Sequence, residues 1–124
     1  MASALFLAAG VVCVLTALVH SLVGEVRLIG PLVRSRSGVM GRPLVRQVVR
    51  FAWHWTSVLW LLVAAVLVSA GLGHQVERWL LACIGGVHLA LGLWDAVITR
   101  GRHIGWPLIT LIGGLTLLAL LQIR

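Results

Sequence analysis

His20, His54 and Asp95 fall in three separate hydrophobic runs, His20 and Asp95 close to the end and His54 close to the start, which alternating helices bring to one level. Imidazole and carboxylate at one depth of a helical bundle are what a metal centre needs. A neutral imidazole nitrogen suits zinc, iron or copper, and a carboxylate compensates charge. Two imidazoles on facing helices could instead ligate the iron of haem b from either side. Glu25 and His103 stand at the rim of this layer. His88 lies seven residues before Asp95, about 10 Å deeper along a helix, where it would serve a second site or a proton path. The candidate ligands are therefore His20, His54, His88, Asp95 and Glu25.

The stripes that carry these residues have helical spacing. Gly85, His88, Gly92, Asp95 and Thr99 recur at three, four, three and four, and so do Gly10, Cys13, Ala17, His20 and Gly24. Each set occupies one helix face. Polar groups inside a bilayer turn towards other helices, because lipid offers them no partner. Arg50, His54, Ser57 and Leu61 form a comparable face, and Trp106, Thr110 and Gly113 another. His20 and Glu25 are five apart, about 140° round a helix, so Glu25 joins the cluster only if the helix ends at Gly24 and the chain turns inward.

The elements that hold these residues must be membrane helices. Hydrophobic residues make up 60% of the 124 and charged residues 10%, more apolar surface than a soluble domain of this size can hide. Crossing the hydrocarbon core takes about 20 apolar residues. Four segments qualify, near 2–24, 51–72, 78–99 and 104–123. The expected fold is an all-α integral membrane bundle of four transmembrane helices, in one domain. Gly24, Gly30 and Pro31 close the first span, Gly71 to His74 the second, and Pro107 opens the fourth. The first span lacks a basic lead segment and is longer than a signal-peptide core, so it is expected to be retained.

All ten basic residues are arginine, against three acids, a formal charge of +7. Eight of the ten lie in two connections: Arg27, Arg34, Arg36, Arg42, Arg46 and Arg50 in 25–50, and Arg100 and Arg102 in 100–103. Only Arg78 and Arg124 lie on the other side. The asymmetry sets both connections in the cytoplasm and both termini outside, as in a bacterial inner-membrane protein. The arginines then meet anionic lipid headgroups, and no basic domain is left for nucleic acid. The 25–50 loop should begin irregularly and end in an amphipathic lead-in, L-V-R-Q-V-V-R-F, lying in the interface. Cys13 and Cys83 read as buried thiols, and there is no C-x-x-C.

Simpler roles exist for every polar residue. Asp95 could pair with Arg50 or Arg100, His20 with Ser57 or a carbonyl, and His88 with Thr16 or Thr110; Glu25 and Arg27 could be an ordinary solvated helix end, His54 could belong to a tryptophan belt, and His74 to solvent. Ala82, Gly86 and Ala90 make a small-x-x-x-small face that packs either the fourth span or a second copy of the protein. No serine nucleophile elbow, phosphate loop or paired carboxylates are visible. Three functions stay open: binding a transition metal or haem, proton-coupled transport through His88 and Asp95, and a non-catalytic accessory or assembly role in a membrane complex.

Overall fold

The computed structural model describes residues 1–123 and is helical throughout, with no strand among them; Arg124, counted above among the outer arginines, lies outside the described residues. Helix α1 runs without a break over Ala2–Ser35. It is followed by a 3₁₀ turn, Gly38–Gly41, then α2 (Pro43–Gly71), α3 (Arg78–Ile98) and α4 (Trp106–Leu121). Helices α1, α2 and α3 are long and apolar enough to cross a membrane, whereas α4 is a shorter apolar helix.

The expected end of the first helix at Gly24 to Pro31 is not observed. Gly24 and Gly30 keep right-handed helical angles, and the chain is helical to Ser35. The helix tolerates Pro31 by widening before it. Val19–Val23 and Glu25–Ile29 are both wound as π-helix. A proline in a helix crowds the carbonyl four residues back, here Arg27, and donates no N–H. A wider turn at that point absorbs both defects. Termination comes instead at Arg36, in the left-handed conformation with φ 50°. The connection expected over 25–50 thus shrinks to the few residues around the 3₁₀ turn. The lead-in ending at Phe51 is not a separate interfacial piece: α2 starts at Pro43, a residue preset for the first helical turn.

Helix α1 packs against α2 and α4, and α4 against α3. Where the axes come close, one partner offers glycine. A Cβ on Gly10 would meet Val68, one on Gly71 would meet Leu7, and one on Gly85 would meet Leu117, each nearer than 3 Å. The α3–α4 crossing is tightest: Gly92 faces the backbone of Thr110, and Gly113 faces that of Leu89. Around these contacts Phe6, Cys13, Leu67, Leu81 and Ile112 form the buried core. The buried hydroxyls of Thr16 and Thr116 donate to the carbonyls of Val12 and Ile112, four residues back on their own helices.

The inward stripes fall largely where their spacing puts them. Gly10, Cys13, Ala17, Gly85, Gly92 and Gly113 are buried. Leu61 is a correction, being exposed; α2 turns Ser57, Ala64 and Leu67 inwards instead. Cys83 is a second correction, being exposed, because it lies about 200° round α3 from buried Gly85. The small-residue face does not pack α4. Ala82 and Ala90 are exposed, and no atom lies within 4 Å of a Cβ built on Gly86.

Candidate functional site

The polar residues gather where the first π-turn of α1 meets α2. His20 stacks on Trp53, with ring centroids 4.0 Å apart and planes 12° from parallel, and meets the edge of Trp60 at 5.2 Å. Its Nδ1 lies 3.0 Å from Ser57 Oγ. Trp53 Nε1 donates to the His20 carbonyl at 3.0 Å, an oxygen inside the π-wound turn. The Trp53 ring also covers Gly24 so closely that a Cβ there would lie 2.5 Å from it. Gly24 is thus a seat for an indole rather than a helix stop.

The π-turns also decide where Glu25 goes. It reaches α2, not His20. Arg50 Nη2 donates to Glu25 Oε1 at 2.7 Å, and His54 Nε2 lies 3.3 Å from Oε2. Ser21 Oγ holds the other ring nitrogen of His54 at 2.6 Å. With protons on both nitrogens, His54 would donate to Ser21 and face the Glu25 carboxylate. The solvated helix end expected for Glu25 is replaced by an ion pair with Arg50, because the helix continues past Gly24 and carries the carboxylate alongside α2.

The remaining candidates separate into two further pairs. Asp95, at the end of α3, pairs with His103 Nδ1 through Oδ2 at 2.5 Å, not with Arg50 or Arg100. The turn that allows this has left-handed Arg100 and Gly101, φ 53° and 70°, closed by Gly101 N–H donating to the Ala96 carbonyl at 2.8 Å. His88 donates from Nδ1 to the Ile84 carbonyl at 2.8 Å and accepts at Nε2 from Trp60 Nε1 at 3.3 Å. Those bonds fix one neutral tautomer and replace the partners expected, Thr16 and Thr110. Both ring nitrogens are engaged, and His88 ties α3 to α2. His74 is exposed.

His20, His54 and Asp95 therefore sit in three neighbouring constellations rather than around one point. Among the described residues no three His, Cys, Asp or Glu side chains form a group fit to hold a metal ion. What His20 does share is a cavity with His103. It has a volume of about 230 Å³ and runs between α1, α2 and the start of α4. Its walls are mostly apolar, with Val19, Val23, Leu28, Leu108 and Ile109, and its aromatic side is Trp53 and Trp60. Four polar side chains line it, Thr16, His20, His103 and Arg27, of which Thr16 spends its hydroxyl on the Val12 carbonyl. The Nδ1 of each histidine is held, by Ser57 and by Asp95, and neither Nε2 has a hydrogen-bond partner among the described residues.

Arg27, Trp53 and Trp60 line the cavity without having been assigned to a site from the sequence, and His103 had been placed only at the rim of the layer. The signal for Arg27 was present. Continuing the first-span stripe past Gly24 by three and four reaches Arg27 and Leu28, but reading Gly24 as a terminus stopped the stripe there.

No protein-family model matches the chain, and no curated protein or solved structure resembles it.

Proposed function

We propose that this protein is a membrane-embedded binding protein for a lipid-soluble molecule carrying one oxygen-bearing aromatic or quinonoid ring, held in the cavity between His20 and His103. The observation that carries this reading is the cavity itself: apolar and aromatic walls onto which two imidazoles and one guanidinium converge. A few convergent polar groups in an apolar cleft are the usual form of a small-molecule site. Size selects the ligand class. At about 230 Å³ the space lies below the roughly 300–1,000 Å³ of sites that enclose drug-sized ligands, and it suits a single ring whose hydrocarbon tail stays in lipid. The indoles offer stacking surface. Arg27 donates to a ring oxygen. His103, backed by Asp95, accepts or returns a proton at Nε2 while Nδ1 keeps its hydrogen bond.

A metal or haem reading keeps one specific support. His20 and His103 each have Nδ1 fixed by an oxygen partner, the arrangement that orients imidazole ligands. Two imidazoles are too few for a structural zinc site, which takes four protein ligands, but two histidines would be enough to hold a haem iron. In that case the connection bearing His103 has to open to admit a macrocycle.

The same reading puts all four helices across a bacterial inner membrane, arginine-rich ends in the cytoplasm and both termini outside. Helix α4 alone spans about 24 Å, and the apolar flanks Ile104 and Ile123 bring it nearer the 30 Å of the hydrocarbon core.

The test is a titration of detergent-purified protein with a short-chain quinone, read by tryptophan fluorescence, since Trp53 and Trp60 line the cavity. Saturable quenching is expected. His20→Ala and His103→Ala should each weaken it about tenfold, the loss of one hydrogen bond of about 1.4 kcal/mol. Absence of quenching, or curves for both variants that match the parent's, overturns the quinonoid reading. A Soret band or stoichiometric metal lost in the same two variants would establish the alternative.

A further inference from the structure

A second opening lies at the first turns of α2. A groove of about 530 Å³ is lined by Val33 from the end of α1 and by Pro43, Arg46, Gln47, Arg50, Phe51 and His54 from the first turns of α2. It shares no lining residue with the His20–His103 cavity. It exists because α1 continues to Ser35, which sets Val33 opposite the extended start of α2.

The geometry points to this groove as a binding site for the phosphate of an anionic phospholipid. Three of its seven lining side chains carry or can carry positive charge, and Gln47 adds an amide donor. Arg46 is anchored: its Nη1 donates to the carbonyls of Met40 and Gly41 at 2.8 and 3.1 Å. A guanidinium has five N–H donors, so the other nitrogens stay available while the side chain is held in place. Arg50 is likewise held, through Nη2 on Glu25. Arginines fixed in this way lose little further freedom on meeting a phosphate, and their planar fork matches two phosphate oxygens.

The charge around the groove has one sign. Residues 25–50 contain six arginines and a single acid, Glu25, and that carboxylate is already shared by Arg50 and His54. Arg50 is thus paired, whereas Arg46 has no carboxylate partner among the described residues, and an incoming anion meets a net positive groove. The groove's apolar members give the source. Phe51 is 67% exposed beside Pro43 and Val33, and it lies at the start of the apolar part of α2. A headgroup phosphate on Arg46 and Arg50 leaves its glycerol and acyl chains running along that apolar rim. A free phosphate would use the arginines and leave Phe51 bare.

The experiment is native mass spectrometry of the full chain in detergent, after delipidation and re-addition of phosphatidylglycerol or phosphatidylcholine. One retained phosphatidylglycerol per chain is expected, at least tenfold above phosphatidylcholine. Arg46→Gln should reduce retention about tenfold, and Phe51→Ser several-fold. Arg102→Gln, with its charge on the other connection, should retain as much as the parent. Helical circular dichroism of Arg46→Gln identifies any misfolded sample, and Gln47→Ala then reports on the same groove without touching the anchored arginine. Equal retention of both lipids, or retention unchanged in Arg46→Gln and Gln47→Ala, overturns the site. Loss of the lipid adduct on adding millimolar inorganic phosphate, with Phe51→Ser behaving as the parent, assigns the pocket to free phosphate and overturns the lipid assignment.

Discussion

Gly113→Ala is expected to destabilise the bundle strongly, whereas Gly114→Ala, one residue on, leaves stability unchanged or raised. A Cβ on Gly113 would lie 2.7 Å from both the Gly85 carbonyl oxygen and the Leu89 Cα, whereas one on Gly114 meets no atom within 4 Å. Backbone on α3 cannot rotate away as a side chain can, so α4 must shift along its whole contact. Overpacking costs about 1–3 kcal/mol where side chains absorb it, and a backbone clash belongs at or above the upper end. If α3 and α4 lie in lipid, as proposed, they associate chiefly through close packing rather than through water exclusion, so the clash weakens the main force between them. At position 114 the substitution adds helix propensity of about 1 kcal/mol at most. Denaturing-detergent titrations of both variants, followed by circular dichroism, check the contrast. Equal midpoints would mean that the α3–α4 crossing is looser than described.

Trp53→Ala should be the most damaging change at the site. One indole stacks on His20, donates to the His20 carbonyl, seats on Gly24 and walls the cavity. Truncating a fully buried aromatic costs about 3–5 kcal/mol in a soluble core, and Trp53 is half-buried. Part of that is transfer from water, which lipid does not supply, so about 2–3 kcal/mol is expected here. The lost hydrogen bond also frees a carbonyl in the π-wound turn. Trp53→Phe, which keeps the stack but not the donor, should recover most of the stability and lose about 1 kcal/mol. The measurement is thermal unfolding of the three proteins with and without quinone. A Trp53→Ala protein as stable as the parent would remove the indole from its structural role.

How much was legible beforehand differs from helix to helix. The start and end of α3 and the inward face of Gly85, His88, Gly92 and Asp95 followed from three-and-four spacing, because α3 is regular from Arg78 to Ile98. Helix α1 was misjudged at one point with wide consequences. Gly24, Gly30 and Pro31 carry strong helix-ending signals, and nothing local in Val19–Ile29 announces two π-turns. The compensation is tertiary: Trp53 arrives from α2, far along the chain, and occupies the space that Gly24 leaves. Once α1 continues, Glu25 moves from a solvated helix end into the helix and meets Arg50 and His54. The common depth of His20, His54 and Asp95 was a one-dimensional estimate. Depth along an axis says nothing of which helices touch, and α3 packs chiefly on α4, which hands Asp95 to His103.

The two π-turns have a consequence for how α1 can change. Each holds one residue more than an α-helical turn would, so together they rotate everything beyond Ile29 by about 200° relative to a plain helix. The chain before Val19 and the chain after Ile29 are thus set in different phases on one axis. The first phase is keyed to the glycine and cysteine face against α2 and α4, and the second to the groove that Val33 shares with Arg46. Deleting one residue between 19 and 29 would swing the outer segment by about 100° while leaving the inner one in place. The spacing of this stretch, more than its side chains, therefore fixes whether the lipid groove and the ring cavity exist in the same molecule.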